Sequence, residues 1–551
     1  MHKRLWLSVA MLAVGASLLV AAGFASPAGS APSSPSATAK KGGTLHLNLS
    51  ETDIDYADPA LAYFQPSWLM LYVVCRNLLN YPDKPSPAGS RLVPDAAVGL
   101  PRVSGRGRVY TFTLRRGLRF SNGKALTAAN YAAAIDRLAN PKTESPSVPF
   151  FSDIVGATKV NNGSGKHVAG VIARGRRLTI RLVKPGPDIM SRLAMPFFCA
   201  VPKGLPASAQ GVNTFPSAGP YFISSRTPGK PIVLSRNKFY KGPRPHNASK
   251  IIVTPNTDLD QSFLQVSRGD VNYDIGGIPA SQHAKLAKRF GINKGRYFVN
   301  PTISTRYISL NNLNGPFKGV AARRAVNFAV DRPGIIKQRG AFAGSTTDQL
   351  LPPRMRGYLR ASIYPTGRPN KKKATSLAPR KSITLFTSNS PVGIATAQVM
   401  QNSITSNTSN KLKVDIKSMK TSVMYKRCGT RSEAAQGAFD MCSVGWIADY
   451  PDPFDFVNVL LSGDNIHDSN NNNYSYFNSA KYNRQMRAAA LLFGAKRYRR
   501  YGALDVSIMK NAAPIAAWDN DNERDFISKN TGCFTYHPVY GGADLALLCR
   551  K

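Results

Sequence analysis

The sequence predicts an α/β protein built from two or three lobes. Short alternating or β-branched runs, typical of strands, recur along the chain, and amphipathic patterns with apolar residues three and four apart lie between them. Such alternation favours βαβ-like units. Without a leader the chain keeps about 510 residues, which is more than one compact hydrophobic core usually holds.

The predicted elements can be taken in chain order. Strands are predicted at residues 43–49, 109–114, 178–182, 232–235, 251–253 and 382–386. Helices are predicted at residues 126–138, 320–330, 395–404, 480–493 and 498–510, with Thr127 as the N-cap of the first. Segments rich in Pro and Gly at residues 82–89, 202–216 and 352–373 are interpreted as joints between these elements.

The N-terminus reads as an export signal. His2, Lys3 and Arg4 precede an apolar run over residues 5–24, and Gly23-Phe24-Ala25 is a candidate cleavage site. We therefore expect a signal peptide over residues 1–25, a linker rich in Ser, Pro and Ala over residues 26–41, and an exported protein in the periplasm or cell envelope. No Cys follows the apolar run, so a lipoprotein anchor is not expected.

An exported chain with an even number of cysteines is able to form disulfides. Sequence proximity favours Cys428–Cys442 and Cys533–Cys549, which leaves Cys75–Cys199, although six cysteines allow 15 connectivities. The sequence has no C-x-x-C, which argues against a zinc ribbon or a thioredoxin-like centre.

Two acidic islands interrupt a very basic chain. The chain has 73 Lys and Arg against 30 Asp and Glu, yet residues 42–75 and 432–480 contain no Lys or Arg. The first island holds Glu51, Asp53, Asp55 and Asp58, and the second holds Glu433, Asp440, Asp449, Asp452, Asp455, Asp464 and Asp468. Aromatic residues are interleaved with the second set, as in a pocket that encloses an amine. The islands are interpreted either as a surface for a cationic ligand group or as solvated acidic loops.

The basic excess itself is spread along the chain in short clusters such as Lys371–Lys373 and Arg497–Arg500. Nucleic-acid binders usually concentrate positive charge on one face, so no nucleic-acid partner is expected. The excess is interpreted as a solvated surface, with attachment to an acidic envelope as the alternative.

Enzyme motifs are missing from the sequence. It contains no G-x-S-x-G, P-loop or H-E-x-x-H, and its seven histidines have no metal-ligand spacing. We expect a protein that is not an enzyme and that needs neither a cofactor nor a metal. A catalytic triad assembled only in space stays open as a minor alternative.

Several segments together resemble the family 5 extracellular solute-binding proteins, the peptide/nickel-type receptors of ABC importers. They cover nearly the whole mature chain in the order typical of the family. They are residues 42–45 (GGTL), 110–123 (YTFTLRRGLRFSNG), 126–130 (LTAAN), 217–221 (SAGPY), 237–240 (NKFY), 264–271 (LQVSRGDV), 307–311 (YISLN), 322–332 (ARRAVNFAVDR), 445–453 (GWIADYPDP) and 513–515 (API).

The resemblance implies a two-lobed periplasmic-binding-protein fold of type II, with an extra subdomain and a hinge between the lobes. Mapped onto this chain, lobe I takes residues 42–75, 201–305 and 501–551, the extra subdomain takes residues 76–200, and lobe II takes residues 306–500. Both acidic islands then fall where such proteins line their cleft.

The resemblance also implies a function and a site. Asp449 matches the carboxylate that holds the ligand's α-ammonium in peptide-binding members, with the backbone of Ser443 and Gly445 pairing with the peptide. Trp446 is expected to wall the pocket, Ile447 lies in the same segment, and Tyr63 and Phe64 face the ligand from lobe I. A monomeric receptor that delivers oligopeptides to the membrane subunits of an ABC permease is expected.

Two alternatives stay open: a receptor for a non-peptide solute such as a metal chelate, sugar or opine, and a non-transport envelope-binding protein on the same fold. The 432–480 island offers carboxylates where a nickel or haem receptor would need convergent His or an Arg, which favours the peptide reading. Asp452 and Asp455 are expected to act only in the turn and at the helix start.

Overall fold

Strands form where the sequence alternates apolar and polar residues or concentrates β-branched residues. The structure is a computed structural model that describes residues 41–49, 53–255 and 258–551. The signal peptide, the linker up to residue 40 and Glu51 lie outside the described residues. The described strands are β1 Thr44–Leu49, β2 Leu79–Asn80, β3 Val93–Pro94, β4 Arg102–Ser104, β5 Val109–Thr113, β6 Val171–Arg174, β7 Arg177–Arg181, β8 Tyr221–Ser225, β9 Ile232–Arg236, β10 Lys250–Pro255, β11 Tyr273–Asp274, β12 Tyr297–Pro301, β13 Ser304–Leu310, β14 Gly344–Thr346, β15 Lys381–Ser388, β16 Leu412–Met419, β17 Met441–Ile447, β18 Ile515–Phe526, β19 Thr531–Gly532, β20 Tyr536–His537, β21 Gly542–Ala543 and β22 Cys549–Arg550.

The α-helices carry the 3.6-residue patterns and several begin at side-chain caps. They are α1 Gln65–Val74, α2 Ala128–Ala139, α3 Val148–Phe151, α4 Ala157–Asn161, α5 Ile189–Arg192, α6 Leu259–Arg268, α7 His283–Phe290, α8 Val320–Ala329, α9 Arg332–Lys337, α10 Lys371–Leu377, α11 Pro391–Asn407, α12 Thr421–Cys428, α13 Arg431–Gln436, α14 Phe454–Leu461, α15 Ala480–Ala490 and α16 Gly494–Asn511. No helix of the described residues is long and apolar enough to cross a membrane.

Each predicted strand and helix is present, with shifted ends. At α2 the Asn130 side chain accepts a 2.9 Å hydrogen bond from the Thr127 backbone N–H, which fixes the helix start. Helix α11 begins earlier than predicted because Ser390 caps it by accepting from the Gly393 N–H. Helix α16 continues across residue 500, where the sequence places the end of lobe II.

Three larger sheets organise the chain. One has the order β11-β1-β10-β9-β8, with β1 parallel to β10 and β11 and the remaining pairs antiparallel. A second has the order β12-β18-β13-β17-β15-β16, with β14 also on β18. The third is the antiparallel sheet β4-β5-β7-β6, which lies within the predicted extra subdomain.

Strand β18 connects two hydrophobic clusters. Its first half contributes Ala516 and Trp518 to the cluster under β13 and β15. Its last residue, Phe526, packs with Val266 and Leu286 from α6 and α7. A single bridge between Tyr273 and Ile527 links the first sheet to the end of this strand. Strand β18 therefore belongs to both clusters.

All six cysteines are paired. The disulfides are Cys75–Cys199, Cys428–Cys442 and Cys533–Cys549, with Cα–Cα distances of 5.4, 6.5 and 5.5 Å. The second and third are the pairs that sequence proximity favours, and the first is the pair that these two leave. The second pair ties the end of α12 to β17, the strand on which most predicted site residues lie.

Candidate functional site

Strand β17 has an open edge over its second half. It pairs with β13 along its whole length, from Met441 to Ile447. On its other side it pairs with β15 only at Met441 and Cys442. From residue 443 onward no other strand of the described chain pairs with that side. An unpaired strand edge is a row of backbone donors and acceptors available to another extended chain.

Backbone alternation decides which residues face this edge. The Ala448 N–H donates to Ile303 O, on the β13 side. Because residues in an antiparallel pair alternate in the direction of their N–H and C=O groups, Ser443, Gly445 and Ile447 direct theirs toward the open side. The Gly445 N–H donates there to the Tyr425 hydroxyl at 3.3 Å.

Asp449 lies two residues beyond the end of β17 and is buried, with 7% of its surface exposed. Its Oδ2 accepts a 2.8 Å hydrogen bond from the Tyr63 hydroxyl, which comes from the other end of the chain. Its backbone N–H donates to Asp455 Oδ2 at 2.9 Å, and Trp446 Nε1 donates to the same oxygen at 3.1 Å. Asp455 therefore holds both Asp449 and Trp446 in place.

Burial controls the charge of this acid pair. It raises the pKa of Asp449 to about 7, against the opposing effect of the hydrogen bonds from Tyr63 and Asp455. Burial, and then the charge of Asp449, raise the pKa of Asp455 well above its ordinary value. Burial thus disfavours the ionised form of both carboxyls, and the neighbouring charge of Asp449 disfavours it further at Asp455. No Lys or Arg of the described chain forms an ion pair with either carboxyl.

Aromatic rings enclose the carboxylate. The Tyr63 ring lies edge-on to the Trp446 ring, with centroids 5.8 Å apart, and edge-on to Phe197 at 5.3 Å. Phe64 contacts Tyr425 at 6.3 Å, beside the open edge. Asp55 positions both aromatic residues by accepting from the Tyr63 and Phe64 backbone N–H groups at 2.6 and 3.0 Å.

The first acidic island does not form a surface for a cation. Its described carboxylates are used inside the fold: Asp53 pairs with Arg226, Asp55 accepts from two backbone N–H groups just before α1, and Asp58 pairs with the buried Arg137. The expectation for this island was therefore wrong, because tertiary contacts supply the cations and donors that the local sequence lacks.

Most carboxylates of the second island are also partnered. Ion pairs with arginines from outside the island take up Glu433, Asp452, Asp464 and Asp468, and Asp440 accepts from the Thr384 N–H. Asp452 was expected only in a turn, yet it accepts from the buried Arg497 guanidinium at 2.8 Å. Asp449 and Asp455 are thus the remaining carboxyls of this island that could meet a cationic ligand group.

Two residues were missed as parts of the site. Asp455 begins α14 as expected, but its hydrogen bonds to Trp446 and Asp449 also place it in the site. Tyr425 reaches the Gly445 N–H from α12. The Cys428–Cys442 disulfide was the available signal for Tyr425, because it predicts that α12 lies against β17.

A second contact joins this region to the predicted extra subdomain. The Tyr450 hydroxyl donates to Asp188 Oδ2 at 2.8 Å, and both residues are buried. Asp188 also forms ion pairs with Arg192 and Arg497, at 3.3 and 3.8 Å. Their positive charges lower the pKa of Asp188 despite its burial.

The site is therefore complementary to an ammonium group attached to an extended backbone. A buried carboxylate without a cationic partner favours a positively charged ligand group, because the ligand would supply the positive charge that the described chain does not place there. The open edge of β17 lies beside it. Among the described residues, no group of three or more His, Cys, Asp or Glu side chains is arranged to hold a metal ion.

Comparisons with known proteins agree with this architecture. Clavulanic acid biosynthesis oligopeptide binding protein 2 matches with a TM-score of 0.83 and 22% identity, over 93% of this chain and 96% of that chain. OppA of Haemophilus influenzae, in complex with RPPGFSPFR, matches with a TM-score of 0.78 and 19% identity, over 93% and 99%. Such structural neighbours are two-lobed periplasmic binding proteins, so the chain has that fold.

Sequence comparison gives the family. The probable D,D-dipeptide-binding periplasmic protein DdpA of Escherichia coli (strain K12) is 23% identical over 490 residues, 88% of this chain and 89% of that protein. The family model described as bacterial extracellular solute-binding proteins, family 5 Middle, matches residues 91–468. The chain belongs to the bacterial extracellular solute-binding proteins of family 5.

Proposed function

We propose that this protein captures peptides with a free amino terminus and delivers them to an ABC importer. The observation that carries the proposal is Asp449, a buried carboxylate without a described cationic partner at the end of an open strand edge. An α-ammonium would supply the missing charge, and the peptide backbone would pair with Ser443, Gly445 and Ile447.

The aromatic residues have separate roles in this proposal. Trp446 and Tyr63 form the wall around the ammonium site, and the Tyr63 hydroxyl orients the carboxylate. Phe64 and Tyr425 flank the edge where the second and third peptide residues would lie. Tyr425 occupies the hydrogen-bonding position at the Gly445 N–H that a peptide carbonyl would take.

Relatives support the choice of ligand. One is described as binding D,D-dipeptides, and the Haemophilus influenzae protein is in complex with a nine-residue peptide. The periplasmic relatives support an extracytoplasmic location, and we propose export by the N-terminal segment without a lipid anchor. We further propose a monomer that binds without chemical change to the peptide and docks on permease subunits.

The lobe boundaries are also proposals. We propose lobe I at residues 42–75 and 201–305, the extra subdomain at 76–200, and lobe II from residue 306. The helix that crosses residue 500 and the pairing of β18 with β13 favour an end of lobe II within β18 rather than at 500. The rest of the chain to residue 551 would then belong to lobe I.

A thermal-shift screen with matched peptides tests the proposed function. Di- to pentapeptides and their N-acetylated twins are compared on wild type, Asp449→Asn and Asp464→Asn. The last variant is the control, because it removes one island carboxylate whose partner Arg487 is exposed. We expect free peptides to stabilise wild type and the control. Asp449→Asn should bind them about 10- to 150-fold more weakly, because it loses a charge-assisted hydrogen bond.

Two other outcomes of this screen would change the proposal. Equal stabilisation by both twins would retain peptides as ligands but remove Asp449 from its role. Stabilisation by no peptide would overturn the proposal and direct the screen to sugars, opines and metal chelates.

A further inference from the structure

The predicted extra subdomain carries a feature that peptide capture does not use. Residues 96–135 and 154–187 contain 14 Lys and Arg and no Asp or Glu. All four strands of the β4-β5-β7-β6 sheet fall within these two segments. The exceptional composition is therefore concentrated on one structural unit, although the basic excess looks evenly spread along the chain.

The outer face of this sheet presents the charge. Strand β7 alternates exposed Arg177 and Arg181 with buried Leu178 and Ile180. Cross-strand register places Arg102 beside Thr111 and Thr179 on the same face. We call the outward arginines Arg102, Arg174, Arg177 and Arg181 the arginine face; none of them is in an ion pair of the described chain.

Two of these arginines stand directly opposite each other. Arg174 on β6 pairs in register with Arg177 on β7. Like charges at directly opposed positions destabilise a sheet, and a neighbouring carboxylate would relieve the repulsion. The described chain supplies none on this face, so an external anion would provide the relief.

A groove of about 530 Å³ runs across the same face. It is lined by Thr111, Thr113 and Thr179, by Arg102 and Arg177, and by residues 98–100. The Thr111 and Thr179 hydroxyls are hydrogen-bonded to each other at 3.3 Å. Guanidinium and hydroxyl groups together are donors for phosphate oxygens, and the guanidinium can bind them bidentately. A volume of about 530 Å³ lies within the range of ligand sites in proteins.

We propose that the arginine face binds a linear phosphodiester polymer of the cell envelope, independently of the peptide cleft. A groove lined with hydrogen-bond donors can accommodate a polymer chain, whereas a flat bilayer surface would contact only side chains that protrude from the protein. Binding would keep an extracytoplasmic receptor close to the membrane where its permease lies. Release of counterions from the polymer would make the affinity fall steeply with salt.

The test measures binding of an oligomer of glycerol phosphate to the full mature protein over a range of salt concentrations. The variant Arg102→Gln/Arg177→Gln is compared with Arg499→Gln/Arg500→Gln, which removes the same charge from exposed positions of α16. We expect the first variant to lose about tenfold or more in affinity and to lower the salt slope by about 2, one for each contact. The second should bind like wild type.

Three results would overturn the proposal. Equal weakening of both variants would mean attraction by net charge alone. Binding to phosphatidylglycerol vesicles with no binding to the oligomer would assign the face to a membrane. No binding by wild type at low salt would remove the site. Thermal shifts with peptides should be unchanged in the first variant, which separates this result from the cleft.

Discussion

The Tyr63 hydroxyl donates a 2.8 Å hydrogen bond to Asp449 Oδ2 across 386 residues of sequence. This bond brings a segment of predicted lobe I onto the acid of predicted lobe II. It also lowers the pKa of Asp449 against the larger effect of burial, which raises it to about 7. Contact between the two predicted lobes therefore favours the ionised form of Asp449, the form that attracts an ammonium ligand.

Peptide affinity should depend on pH through Asp449. Only the ionised form attracts an ammonium, so affinity should fall by up to about tenfold per unit as pH drops below 7. It should also fall above about pH 8, where a free α-amino group loses its proton. Calorimetric titration at pH 5.5, 6.5, 7.5 and 8.5 measures this profile. Asp449→Asn should give a flat profile between pH 5.5 and 7, and a flat wild-type profile there would contradict the assignment.

Substitutions at Asp455 should separate its charge from its role as an acceptor. Burial and the charge of Asp449 disfavour an ionised Asp455, and Asp455→Asn keeps an acceptor for Trp446 Nε1 and the Asp449 N–H. This variant should therefore bind peptides within about threefold of wild type. Asp455→Ala leaves two buried donors without a partner and should lose about tenfold or more. Peptide titrations on both variants decide the matter, and equal losses would show that a charge at this position is required.

Tyr450→Phe should loosen the closed arrangement. It removes the hydrogen bond to Asp188 between predicted lobe II and the extra subdomain. A bond to a charged group contributes about 1.5–3 kcal/mol, so peptide dissociation should become roughly tenfold faster or more, with little change in association. Stopped-flow fluorescence measures both rates.

The matched control is Tyr501→Phe, which removes a hydrogen bond to Asn458 within lobe II as proposed above, with its end in β18. It should lower stability without a comparable change in dissociation. If both variants released peptide equally fast, the Tyr450 bond would have no specific role in closure.

Stability should fall as pH rises from 6.5 to 8.5. Burial raises the pKa of Asp449, Asp505 and Glu523 to about 7 and that of Asp519 to about 8, so the folded state holds protons that the unfolded chain has already released. Burial also lowers the pKa of His283 to about 3 and of His537 to about 4, but these groups act in the opposite direction only below about pH 6.5.

Urea unfolding at pH 6.5, 7.5 and 8.5 measures this trend. Asp505→Asn should reduce the slope, because it removes one of the four titrating carboxyls while keeping an acceptor for one of the Leu350 and Leu351 N–H groups. A free energy of unfolding that increases over this range would contradict the stated directions.

Local sequence determined much of the fold and one side of the site. Strand alternation and helix periodicity located the main elements, with Thr127 marking the start of one helix. The segment 445–453 placed Trp446 and Asp449 together, because residues this close on a strand and its following turn cannot separate. Sequence proximity also favoured Cys428–Cys442 and Cys533–Cys549, which the structure contains.

Tertiary structure decided which acidic residues stay without a cation. The islands lack Lys and Arg in sequence, but Arg137, Arg226 and Arg497 reach Asp58, Asp53 and Asp452 from distant segments. Neither the pairing of Tyr63 with Asp449 nor the open edge of β17 can be read from local patterns. Burial and pairing depend on which segments meet in space, and a charge count along the chain contains no information about those meetings.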